Sequence, residues 1–174
     1  MDFKKSKTYK NLETALQGEA LAHLKYQFYR SQLSNTSKDI EKHLDEIVHN
    51  EKEHGKIWFK LLHDGQIPSD DENLLDAIQG EQYEHIKMYP EFAQDAYDEG
   101  FYEIGNLFDA IAEIEGQHKD EFEEIRLNLQ KDNLFKDKEE CFWICLNCGH
   151  IYVGKEAPEV CPVCNHPQKY FVRD

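Results

Sequence analysis

Glutamate and histidine sit inside the apolar stripes of four successive helix-patterned segments, and an ordinary hydrophobic core cannot accept that. Residues at alternating steps of three and four share one face of a helix. The first stripe reads Leu12, Ala15, Glu19, Ala22, Tyr26, Tyr29, Leu33; the second Ile40, Leu44, Ile47, Glu51, His54, Trp58, Leu61. The third reads Leu74, Ala77, Glu81, Glu84, Met88; the fourth Ile104, Phe108, Ile111, Glu115, His118, Phe122, Ile125, Leu129. Five carboxylates and two imidazoles are thus expected to point into one core. Each buried, unpaired carboxylate would cost roughly several kcal/mol or would neutralise by taking a proton. Cations held among the helices remove that penalty.

The chain around these stripes divides into two kinds of sequence. Residues 1–130 carry helical periodicity, with breaks signalled at Ser34-Asn35-Thr36-Ser37, at Asp64-Gly65-Gln66-Ile67-Pro68 and at Gly100. Ser69 followed by Glu72 predicts a capping box opening the third helix. Pro90 predicts a kink or local break within the third segment. The charged stretch 131–140 reads as a linker, and 141–174 as a small loop-and-strand module. About 35 residues cannot build a self-sufficient core, so that module needs a staple. All five cysteines of the chain lie there, between 141 and 164, which points to metal rather than to a disulfide framework.

Two constellations carry the chemistry. Glu51-x-x-His54 and Glu115-x-x-His118 each project a carboxylate and an imidazole from one helix face, while Glu19 and the pair Glu81 and Glu84 come from the other two helices. One carboxylate from each of two helices plus Glu-x-x-His from the other two is the di-metal carboxylate arrangement of helix bundles. Oxygen-rich ligation suits iron or manganese. Levels agree as well: Glu19 and Glu51 lie equally far from the break near 35, and Glu84 and Glu115 nearly equally far from Gly100. Cys145-x-x-Cys148 and Cys161-x-x-Cys164, twelve residues apart, form a tetrathiolate site for iron or zinc, leaving Cys141 a free thiol. A net charge of −15 argues against nucleic acid and anionic membranes. No window approaches a membrane span or a secretory signal, so a soluble, cytoplasmic protein is expected.

Over its whole length the chain resembles the rubrerythrins. The residues that carry the likeness are Gln17-Gly18-Glu19-Ala20, Glu51-x-x-His54, Gly80-Glu81-x-x-Glu84, Met88-Tyr89-Pro90, Glu115-x-x-His118, Trp143-x-Cys145-x-x-Cys148-Gly149 and Ala157-Pro158-Glu159-x-Cys161-Pro162-x-Cys164. The resemblance implies an all-α ferritin-like four-helix bundle (1–130) followed by a rubredoxin-like Fe(Cys)4 domain (141–174). It implies Glu19, Glu51, His54, Glu81, Glu84, Glu115 and His118 as di-iron ligands, with Glu84 and His54 exchanging at one iron. Tyr26 and Tyr89 match family tyrosines near the irons. The implied activity is reduction of hydrogen peroxide to water, with electrons relayed through the four-cysteine iron from a donor such as a rubredoxin or a NAD(P)H-dependent reductase. The resemblance leaves room for substitution by zinc or manganese. A ferroxidase or iron-storage protein, or a non-enzymatic module with structural zinc, are the alternative readings. Ferritin-like bundles need a long crossover between helices two and three. The stretch from Asp64 to Asp70 reaches only about 21 Å against about 35 Å of helix. Either the bundle is a plain up-down-up-down arrangement, or helices three and four dock onto helices one and two of another chain. Given the resemblance, we expect the second, a homodimer with swapped helix pairs.

Overall fold

The computed structural model describes residues 2–33 and 37–173. Its helices are α1 (Lys7–Ser31), α2 (Lys38–Leu62), α3 (Asp70–Tyr83), α4 (Tyr89–Asp98) and α5 (Tyr102–Gln130), and its strands β1 (Lys136–Cys145), β2 (Ile151–Glu156) and β3 (Phe171–Arg173). The chain forms two compact units, Met1–Pro68 and Ser69–Asp174.

The first unit is the hairpin of α1 and α2. Its antiparallel sense follows from contacts at both ends: Gly55 lies against Leu16 and Glu19, and Arg30 pairs with Asp45 at 2.8 Å. Of the break expected at 34–37, residues 34–36 lie outside the described residues; Ser37 caps α2 by accepting from the Asp39 amide. α2 closes with Asp64 at φ +54° and a bond from Gly65 N–H to the Lys60 carbonyl, which occupies a carbonyl the helix end leaves without a partner.

The second unit holds α3, α4, α5 and the strands. The capping box at its start is present: Ser69 Oγ accepts from the Glu72 amide, and the Glu72 carboxylate accepts from Ser69 N–H. The disturbance expected at Pro90 takes the form of a widened turn, because Glu84–Met88 are π-helical. There the Tyr89 amide bonds to the Glu84 carbonyl, five residues back, and Pro90, which has no N–H to give, follows at the start of α4. Gly100 ends α4 at φ +86°; its N–H bonds to Tyr97 O and Phe101 N–H to Ala96 O, a pairing that requires the left-handed conformation glycine adopts freely. α5 returns antiparallel along α3, where Arg126 grips Asp71 through two bonds of 3.0 Å.

The strands form one antiparallel sheet in the order β2-β1-β3. Lys136–Glu140, read from sequence as linker, already belong to β1, so only a few residues separate α5 from the sheet. The densest core among the described residues is here: Trp143, Cys145, Ala157, Cys161 and Phe171 are almost wholly buried. Trp143 also donates its indole N–H to the Gly154 carbonyl at 2.9 Å, which ties β1 to β2. By contrast, the helices fully bury only small residues and Ile78.

Candidate metal centre

Each unit brings one carboxylate–histidine triad together. In the first, α1 supplies Glu19 and α2 supplies Glu51 and His54, with ligand atoms all within 4.8 Å of one another. His54 Nδ1 lies 3.3 Å from Glu51 and 3.8 Å from Glu19. In the second, α3 supplies Glu81 and α5 supplies Glu115 and His118, again within 4.8 Å. His118 Nδ1 lies 2.7 Å from Glu115 and 3.8 Å from Glu81. The two triads repeat one plan: a Glu preceded by Gly on one helix, and Glu-x-x-His on its neighbour.

The carboxylates feel one another. A hydrogen bond with Glu19 holds Glu51 below the ordinary carboxylate range, helped by His54 and opposed by burial. Glu81 moves the other way, pushed up first by burial and then by its hydrogen bond with Glu115. Two carboxyls in such contact share a proton or bind a cation, and a multivalent ion removes the repulsion outright. The sequence pattern led us to expect full burial of these groups. Instead they are half-buried or exposed, the most open being His54 at 51% and His118 at 46% of the side chain. Within its own unit each triad lies on one face of a single helix pair.

Glu84 opens the π turn and falls outside the 4.8 Å cluster of Glu81, Glu115 and His118. Its charge still acts on both Glu81 and Tyr89. Burial, followed by the charges of Glu84, Glu115 and Glu81, raises the Tyr89 phenol, which therefore keeps its proton at neutral pH. The Tyr89 ring packs against Phe92 and Phe108, which also meet each other at 5.7 Å. Tyr26 is half-buried on α1, its ring tilted against Tyr29 at 5.9 Å. Two histidines outside the triads are interhelical: His23 donates to Val48 O at 2.8 Å and His85 to Ala112 O at 2.6 Å.

The four cysteines meet at two matched turns. Gly149 and Asn165, both at positive φ, send their amides back to the carbonyls of Cys145 and Cys161. Cys145 and Cys164 sulfurs are 3.7 Å apart, as are those of Cys148 and Cys161. Tetrahedral thiolates about 2.3 Å from a metal stand about 3.8 Å from one another, so the quartet fits an ion with little movement. The His166 amide, then neighbouring thiols, lower Cys164 to about 6 against the pull of desolvation. For Cys148 the His150 amide works downward, but desolvation and the adjacent sulfurs outweigh it and push the thiol up to about 12. Cys141 takes no part; its thiol faces the Gly154 carbonyl.

Hard oxygen and nitrogen donors on helix pairs, followed by a tetrathiolate on a small sheet, define a ferritin-like metalloprotein with a rubredoxin-like module. The family model described as Rubrerythrin matches residues 10–126, and that described as Rubrerythrin, rubredoxin-like domain matches residues 143–172. The chain is 37% identical to Rubrerythrin-1 of Clostridium acetobutylicum, over 97% of its own length and 94% of that protein's. It is 37% identical to a rubrerythrin of Porphyromonas gingivalis (97% and 90% covered) and 34% identical to one of Nitratidesulfovibrio vulgaris (97% and 94%). Nigerythrin in a mixed-valence state aligns at 25% identity over 100% of this chain and 91% of that one, with a TM-score of 0.37. The chain belongs to the rubrerythrin family, a family of oxidoreductases, and its ligand groups fit a di-iron centre and one iron in a four-cysteine site. No helix among the described residues is long and apolar enough to cross a membrane.

Proposed function

We propose that the protein reduces hydrogen peroxide to water, protecting its cell from oxidative stress, with electrons entering through the four-cysteine iron. One observation carries the reading: two Glu-Glu-His triads and a complete tetrathiolate cluster occur in one chain. A storage protein has no need of a dedicated electron entry. Conversion of H2O2, two protons and two electrons into two water molecules is chemistry that a ferrous pair supplies when bound, without releasing a one-electron radical. Glu19, Glu51, His54, Glu81, Glu115 and His118 hold the pair in this scheme. Glu84, outside the triad but close enough to act on Glu81, is in this reading the carboxylate that would exchange with His54, as the resemblance implies. Its position at the head of the π turn supports that role, since such turns cluster at functional sites. Tyr89 keeps a hydrogen-bond donor beside these carboxylates. Reducing equivalents come from a rubredoxin or a NAD(P)H-dependent reductase in the cytoplasm, and the helical domain (1–130) and cysteine domain (141–174) divide the labour.

The assembly we propose is a homodimer that exchanges helix pairs. The segment His63–Ser69 joins Leu62 at the end of α2 to Asp70 at the start of α3 in eight steps, about 28 Å at full extension, still short of the roughly 35 Å that an intrachain parallel crossover must recover. Steady-state peroxide consumption with a reductant tests the function, and Glu84→Ala or His54→Ala is expected to abolish it. Oxidation of ferrous iron by oxygen without peroxide turnover would replace the reading with iron handling. A colourless protein with zinc in the cysteine site would replace it with a structural module. A monomer by size exclusion at full iron loading would refute the exchange.

A further inference from the structure

His23 and His85 occupy equivalent places in the two units, and the equivalence extends to their acceptors. His23 lies four residues after Glu19, and His85 four after Glu81. Val48, which receives the first imidazole, lies three residues before Glu51; Ala112, which receives the second, lies three before Glu115. Two helix pairs of different sequence therefore make one cross-brace at one register. Four residues along one helix and three back along its antiparallel neighbour amount to about 6 Å and about 4.5 Å of rise. Both braces thus stand about one turn from the carboxylates, on the side of the hairpin's turn. In each case Nδ1 must be the protonated nitrogen, because a carbonyl oxygen only accepts. A carbonyl has two lone pairs, so it can serve the helix ladder and the imidazole together.

The second brace also has a fitted seat. A Cβ added at Gly116, the residue after Glu115, would meet the His85 ring at 3.0–3.2 Å. Both rings are half-buried, with their one resolved bond crossing to the other helix.

We infer that His23 and His85 are positioning residues for the metal centre, fixing the separation of the two helices that present each Glu-Glu-His triad. Without a brace, mutual repulsion of Glu19 and Glu51, or of Glu81 and Glu115, spreads the helices in the metal-free protein, and an ion must draw them back. The inference rests on the triads binding metal, which the parent protein tests first.

The experiment titrates Co(II) into the full-length protein with iron retained in the four-cysteine site, so that only the carboxylate–histidine sites report. The parent is expected to take up Co(II) there; a parent that takes up none overturns the metal assignment and this inference with it. His23→Leu and His85→Leu each lower the Co(II) affinity of their own triad about fivefold, the size of one net hydrogen bond, and the double variant lowers the product of the two binding constants about twenty-five-fold if the units act independently. His23→Asn and His85→Asn, which return a donor at the Nδ1 position, recover most of the loss. Gly116→Ala lowers affinity as His85→Leu does while leaving the imidazole in place. Thermal melting of the metal-free variants is read in parallel. Leu variants that melt earlier yet bind Co(II) like the parent would show a purely structural bond and overturn the inference, as would Asn variants no better than Leu. Should a Leu variant not fold, Gly116→Ala and the Asn variants decide the matter by the same affinities.

Discussion

Truncating Trp143 to alanine should make the cysteine module wholly dependent on its metal. Trp143 is 1% exposed and is the largest side chain in a core that otherwise holds Cys145, Ala157, Cys161 and Phe171. Large-to-small replacement of a buried aromatic costs about 3–5 kcal/mol. Losing the 2.9 Å bond to Gly154 adds about 1 kcal/mol. A core of this size supplies at most about 3–5 kcal/mol, so the metal-free variant has nothing left to fold with. Metal binding to cysteine sites contributes about 10–16 kcal/mol in small zinc domains, enough to rebuild the fold. The expectation is therefore a split outcome. With Zn(II), the amide resonances of 136–173 remain dispersed in a nitrogen–proton correlation spectrum; after chelation they collapse in Trp143→Ala while the parent's do not collapse as far. Apparent Zn(II) affinity falls about tenfold for each 1.4 kcal/mol the ion must now supply. A variant that binds Zn(II) within about threefold of the parent and stays dispersed without it would refute the assignment of the core to Trp143.

Three further outcomes follow from other parts of the structure. In metal-free protein at pH 7, a brief iodoacetamide pulse read by peptide mass spectrometry should label Cys164, at about 6, before Cys148, at about 12, and bound iron should protect both. Arg126→Met removes the two bonds that, with Gln130, hold Asp71 below its usual range. A depressed carboxylate stabilises the fold above its unfolded value and loses that effect as pH falls through the folded one, so the urea midpoints of parent and variant should differ at pH 7 and converge below about pH 4. Ser69→Ala deletes the cap of α3 and should cost about 1 kcal/mol by urea denaturation, with Ser69→Asp costing less.

The stripes of Glu and His were legible because helical period is the strongest signal a sequence carries, and the same period located α1, α2, α3 and α5. The capping box at Ser69 and the stop at Gly100 were legible for a different reason: the first is a side chain bonding to its own backbone, the second a residue whose lack of a side chain frees the left-handed conformation. Pro90 announced a disturbance but not its form. A proline says that an amide is missing, whereas the π turn that absorbs it is chosen by the whole third segment. Lys136–Glu140 escaped because charged residues at a sheet margin look like linker until a partner strand is in view. His23 and His85 escaped because their acceptors are backbone carbonyls, which every residue possesses and no sequence can flag. A signal did exist: both stand four residues beyond a stripe glutamate preceded by glycine.

The closeness of α5 to β1 has its own consequence. The helix ends at Gln130 in a bond from Asn133 to Asn128, the strand starts at Lys136, and Arg173 reaches from β3 to Asp137 and to Glu124 on the helix. The sulfur-bound centre is consequently bolted to a scaffold and does not hang from a tether. In the electron relay proposed above, a carrier on a leash would deliver at a pace set by diffusion, whereas one fixed to its helix would not wait for a domain to swing. Thickening the solvent with glycerol should leave the internal transfer rate where it was.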